Sequence, residues 1–294
     1  MRSALCPMRG FVMSRVFRAL EKAEEEKKQK EKEKPSLKVF EEKTVLKKEA
    51  PTLKFPKEKI GEIKALELPS KEEVPVLIAP PDSFAAEEFR KLKTQIFQRL
   101  PNPPHSVLIA SATPQEGKTM VAVNLAMAIS EEIHRKAILI DADLRKPGIH
   151  LEKNRNAKGL SNYLSDGAPL SEILINSEVE NLRIITAGSP TRKPSELIGS
   201  KRMGELMKSL SEQGENTYVI IDSSPIISTT EPTLLSKMVD GIILVVMADR
   251  TPRESIQRSI KSIDRQKVIG VVLNQIDLKR SSYYSKYYDK YYRK

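Results

Sequence analysis

Six runs of apolar residues punctuate the chain: SVLIA, AILID, LRIITAG, YVIID, GIILVVM and VIGVVLN. Each is nearly continuous rather than alternating, the pattern of strands covered on both faces. The segments between them, at 117–131, 195–211 and 253–265, carry apolar residues at helical spacing. Strands alternating with helices predict an α/β fold, a parallel sheet with helices on both faces. The longest apolar run, GIILVVMA, has the length of a buried strand and falls short of a bilayer-spanning helix.

Ahead of the first run, DSFAAEEFRKLKTQIFQRL reads as a helix. Asp82 or Ser83 can cap it, Phe89, Leu92, Ile96 and Leu100 form its inner face, and Pro101 ends it. Glu87, Arg90 and Lys93 stand three apart, on a common outer stripe. Nearer the N-terminus, Ser14 can cap a second helix in SRVFRALEKAEEE, with Val16, Ala19, Leu20 and Ala23 as a short apolar stripe before charge takes over. Pro35 stops it, and residues 35–75 mix Lys, Glu and Pro in the manner of a flexible linker. The expected organisation is a charged helical and disordered arm over 1–75, a globular domain over 76–278, and a tail over 279–294.

Charge changes this picture only locally. The net charge of +11 is concentrated outside the globular stretch and suits an anionic membrane surface or nucleic acid equally. A single cysteine, Cys6, excludes an internal disulfide framework. MRSALCPMRGFVM lacks a sustained signal-peptide core, and Met13 is as good a start as Met1. The tail holds six of the eight tyrosines, as pairs Tyr283–Tyr284, Tyr287–Tyr288 and Tyr291–Tyr292 among Lys286, Lys290, Arg293 and Lys294. A repeat of four fits a short amphipathic helix docked on the body, whereas the interleaved charge and terminal position favour disorder.

The chemistry is concentrated after the strands. Ala112 through Thr119, ATPQEGKT, matches a phosphate-binding loop with Ala in place of the first Gly, between a strand and a helix. Backbone N–H groups from Pro114 to Met120 (Gln115, Glu116, Gly117, Lys118 and Thr119 between them, proline itself lacking the donor) and the positive helix end can surround phosphate oxygens. Lys118 would reach the β- and γ-phosphates of ATP, and Thr119 would offer its hydroxyl to Mg2+. Asp141 and Asp143 follow the AILID strand, where open α/β sheets bind ligands, and Asp222 closes YVIID as a Walker B carboxylate does.

SATPQEGKT, ILIDADLRKP and VIIDSSP resemble the Walker A, A′ and B motifs of the bacterial tyrosine kinases. The likeness extends through KPSELIGSKRM and DGIILVVMADRTPRESIQ to the tyrosine-rich tail, covering about residues 80–294. The resemblance implies a P-loop NTPase-type sheet and an ATP- and Mg2+-dependent autokinase that phosphorylates its own C-terminal tyrosines and regulates capsule or exopolysaccharide export. It implies that Asp141 accepts the phenol proton, that Asp143 and Asp222 organise Mg2+, and that Arg145 is a further basic residue of the catalytic site. Glu87, Arg90 and Lys93 resemble the family's subunit-contact stripe, with Lys in place of the final Arg, which cannot make the same bidentate fork. Asn274, in LNQID, stands where related folds read the purine. The implied partners are neighbouring subunits in a ring and a transmembrane polysaccharide co-polymerase, with the chain peripheral at the inner face of the plasma membrane. Three rival readings remain. Septum-placing and plasmid-partition ATPases share these motifs but carry a signature Lys where this loop has Thr113. A non-catalytic nucleotide switch of the export machinery is the second, and a nucleic-acid binder using the basic tail, which fits the composition, is the third; the expected partners include no nucleic acid.

Overall fold

The computed structural model describes residues 78–98, 100–150, 158–214 and 216–276. The N-terminal helix, most of the linker and the tyrosine tail lie outside the described residues. The first element among the described residues is helix α1 (Phe84–Gln98), capped by Ser83, whose Oγ accepts the Ala86 N–H at 3.2 Å. Strands β1 (Ser106–Ser111), β2 (Lys136–Asp141), β4 (Leu182–Ile185), β5 (Thr217–Asp222), β6 (Gly241–Met247) and β7 (Val268–Asn274) correspond to the six apolar runs. They are joined by α2 (Lys118–Ser130), α3 (Leu160–Asp166), α4 (Leu170–Ile173), α5 (Pro194–Ile198), α6 (Lys201–Ser211), α7 (Glu231–Ser236) and α8 (Arg253–Ser262).

The sheet order is β3-β4-β2-β5-β1-β6-β7, and every pairing is parallel except that of β3 (Ile175–Asn176) with β4. Side chains alternate across the sheet. Val107, Ile109, Leu139, Ile220 and Val245 pack with Val121, Leu125 and Ile129 of α2 and with Phe89, Ile96 and Phe97 of α1. Their neighbours Leu108, Ile140, Val219, Ile221 and Leu244 face the other way, against Leu160, Met203, Leu206, Leu210 and Leu235. Continuous apolar runs are thus needed because both faces are covered.

Five local expectations change. The antiparallel β3 adds an edge strand to the parallel sheet, and β4 ends at Ile185 rather than running to Gly188. The helical pattern over 195–211 is two helices, because Ser200 caps a new one by accepting the Met203 N–H. Leu100 lies beyond the end of α1. Lys93 leaves the outer stripe: it is buried, 8% exposed, and its Nζ lies 2.8 Å from Glu132 Oε1 in the turn after α2. Arg90 also makes contacts within the chain, at 3.1 Å to Glu87 Oε2 and 2.9 Å to the Pro81 carbonyl.

Candidate active site

Three adjacent central strands, β2, β5 and β1, end at the same edge of the sheet. In a parallel register Asp141 is paired directly with Asp222, so the two carboxylates sit side by side. The phosphate-loop pattern leaves the third strand between them and β6. Topology, rather than sequence proximity, brings the motifs together.

The loop needs a left-handed backbone at two points: Gln115 has φ 65° and Gly117, the residue capping α2, has φ 89°. Glycine tolerates that conformation without a Cβ clash. A side chain at position 117 would also collide with the amide of Asn274, which stands 2.0 Å from where its Cβ would be. The first turn of α2 carries no acidic residue, which leaves its positive end available to an anion.

Lys118 Nζ lies 3.6 Å from Asp143 Oδ2. Asp143 Oδ1 accepts the Lys146 N–H at 3.0 Å, which folds the A′ segment back under the loop. Gly148 completes this approach, since a Cβ there would come within 2.8 Å of the Thr119 methyl group. Asp141 is fully buried. Its Oδ1 accepts the Asp143 N–H at 3.0 Å, and its Oδ2 accepts those of Gly148 and Ile149 at 2.9 Å each. Burial, with the neighbouring Asp222 charge, nevertheless raises its proton affinity far above that of an ordinary carboxylate, against the pull of those three N–H groups.

Asp222 is also fully buried, and neither of its oxygens has a hydrogen-bond partner among the described residues. Burial raises its pKa to about 6, while the Lys118 charge and the nearby Thr119 hydroxyl favour the ionised form without meeting an oxygen in hydrogen-bond geometry. A buried carboxylate with two free oxygens beside a second carboxylate is the electrostatic complement of a cation. The residues therefore fit Mg2+. No group of three or more acidic, His or Cys side chains forms a metal cage among the described residues. Mg2+ does not need one, because it takes one or two carboxylates and completes its shell with phosphate oxygens and water.

Several sequence-derived site residues have structural tasks instead of, or beside, the expected ones. Glu116 turns its side chain away from the loop's mouth, accepting the Thr113 N–H at 2.8 Å and the Thr251 hydroxyl. Asn274 donates from Nδ2 to the Glu116 carbonyl at 2.9 Å, which commits part of its amide to the loop rather than to a base. Arg145 pairs with Glu231, Nη2 to Oε1 at 2.8 Å, and Ser195 donates to the same oxygen at 2.9 Å. This joins the A′ segment to the starts of α5 and α7. Glu231, Ser195, Thr251, Gly148 and Gln275 were not singled out from the sequence. Ser195, Thr251 and Gln275, inside the quoted KPSELIGS, DRTPRES and LNQID stretches, had some signal there.

Residues 109–274 match the AAA domain family. Tyrosine-protein kinase YwqD of Bacillus subtilis is 31% identical over 216 residues, 71% of this chain and 89% of that protein. The chain belongs to the bacterial tyrosine-kinase family. Putative tyrosine-protein kinase CapB of Staphylococcus aureus is also 31% identical, over 69% of this chain and 90% of its own length. Among solved structures, the chimerical protein CapA2B2 is 30% identical with a TM-score of 0.60, covering 67% of this chain and 87% of the other. The kinase domain of Escherichia coli tyrosine kinase ETK is 25% identical with a TM-score of 0.63, covering 75% and 87%. For a bacterial tyrosine kinase, the assembled edge is a nucleotide site. No helix among the described residues is long and apolar enough to cross a membrane.

Proposed function

We propose that this kinase transfers the γ-phosphoryl group of Mg-ATP to Tyr283, Tyr284, Tyr287, Tyr288, Tyr291 and Tyr292 of a neighbouring copy, and thereby regulates polysaccharide polymerisation and export. The observation that carries it is the meeting of Lys118, Asp143 and the unpartnered Asp222 at one sheet edge beside a glycine-cornered anion loop. Loop N–H groups and Lys118 hold the triphosphate, and Asp143 aims the ammonium group. Thr119, Asp143 and Asp222 would hold Mg2+, which would supply neutralisation of charge on the phosphoryl oxygens. Asp141 is the proposed proton acceptor. Its high proton affinity suits that task, and taking up a phenol requires the Gly148–Ile149 turn to release its carboxylate.

The last described residues bear on the tail. Gln275 Nε2 donates to the Gln115 carbonyl at 3.3 Å, so the described residues end beside the loop of their own subunit. Phosphoryl transfer needs in-line geometry at the γ-phosphate, and in this proposal the tail of a neighbouring copy supplies it. A ring would raise the effective concentration of that tail. In this reading Glu87 and Arg90 contribute to the subunit contact, and Lys93 acts by bracing the turn that holds Glu132. A transmembrane co-polymerase would recruit the chain to the inner face of the membrane; the CapA2B2 structure is of a chimerical protein.

Mixing two variants tests transfer between subunits. A chain lacking residues 279–294 but otherwise intact, given Mg-ATP and a full-length Lys118→Ala chain, is expected to label the inactive chain's tyrosines. An unlabelled tail there, under conditions where the wild type labels itself, would overturn transfer between subunits.

A further inference from the structure

Glu116 is a buried carboxylate, 1% exposed, beneath a loop built to hold anions, and it forms no ion pair with any described residue. Electrostatics alone would disfavour that placement. Its bonds give the reason. One oxygen holds the Thr113 N–H at 2.8 Å, and the other takes the hydroxyl of Thr251, which itself accepts the Met247 N–H at 3.0 Å where β6 ends. The Asn274 amide holds the carbonyl of Glu116 and the Gln275 amide that of Gln115, both from the end of β7. Three of the five described non-glycine residues with positive φ lie here: Gln115 at 65°, Asp249 at 58° and Gln275 at 56°. Backbone held in that region by surrounding bonds is over-determined, as expected where geometry matters to function.

We infer that Thr251, acting through Glu116 and assisted by Gln275, is a positioning residue for the phosphate loop, clamping its apex to the ends of β6 and β7. The inference rests on the nucleotide-binding reading above. The clamp fixes which N–H groups face the phosphates before nucleotide arrives, so its loss weakens ground-state and transition-state binding alike. Such uniform weakening raises KM and leaves kcat unchanged.

Titrating the full-length chain with Mg-ADP by calorimetry, beside steady-state kinetics with Mg-ATP, tests this. Thr251→Val is expected to weaken Mg-ADP and raise KM about tenfold, the scale of one hydrogen bond to a charged group. kcat should stay at its wild-type value, the nucleotide-free chain should melt a few degrees lower because the Glu116 oxygen and the Met247 N–H lose their partner, and Thr251→Ser should restore both affinity and melting temperature. Gln275→Ala, which removes one exposed contact, should weaken Mg-ADP about threefold and serves if the valine variant does not fold. Wild-type affinity in Thr251→Val, or in Gln275→Ala where valine is not tolerated, would overturn the clamp, as would a serine variant that remains weak. A wild-type chain that binds no Mg-ADP would instead overturn the nucleotide site itself.

Discussion

Replacing Lys118 by alanine should lower the rate of tail phosphorylation by about a thousandfold or more, the scale seen when a principal charge-stabilising donor is removed from a phosphoryl-transfer site. The side chain is 14% exposed, reaches Asp143 at 3.6 Å and favours ionised Asp222 by its charge. Without it, the triphosphate meets two buried carboxylates and their neighbour Asp141 with no ammonium group from the loop. Arginine should not rescue, because its planar fork is longer and cannot occupy the point position of an ammonium group. The fold should survive, since Lys118 opens a helix and contributes nothing to either apolar core. Initial rates of phosphate incorporation, with thermal melts of wild type and variant, check both halves. A variant retaining a tenth of the wild-type rate would remove Lys118 from the transfer step.

The second large effect is expected at Asp141. Asparagine has nearly the shape of aspartate but offers one oxygen and one NH2 to three N–H groups, those of Asp143, Gly148 and Ile149. In either amide orientation at least one donor faces another donor. Each such unsatisfied group costs about 1–3 kcal/mol. Removing the carboxylate's charge also relieves its burial and its repulsion by Asp222, which offsets much of that loss. Stability should therefore change by no more than about 2 kcal/mol. Activity should fall about a hundredfold or more, because the turn seats Gly148 against Thr119 and the proposed proton acceptor is gone. Denaturant titration and initial rates together measure the split. Full activity with an intact fold would show that Asp141 neither accepts the proton nor holds the turn in a way catalysis needs.

The architecture was legible where burial on both faces forced continuous apolar runs, as in Val219–Ile221 and Ile242–Val246, and where proline or serine marked a helix end. The edge strand Ile175–Asn176 was not, because two residues carry no period. Lys93 shows a different limit. Spacing on a helix assigns faces, yet a long side chain can tuck its ammonium group into a packed turn when a carboxylate such as Glu132 awaits it. At the site, the phosphate loop and the aspartates were readable because strand ends and glycine corners leave local marks. Their roles were less so. Asp141 and Asp143, two apart, suggested carboxylates projecting together, but Asp141 turns inward to the backbone of its own loop. Thr251 meets Glu116 across 135 residues and Asn274 meets the same residue across 158, separations at which no local pattern survives.

Peptide mapping by mass spectrometry of the full-length chain after incubation with Mg-ATP, with any activating partner fragment supplied, tests the central claim most directly. The account predicts phosphate on tyrosines within residues 279–294, absent from the Lys118→Ala chain treated alone. A wild-type chain that hydrolyses ATP under these conditions while those tyrosines stay unmodified would contradict it.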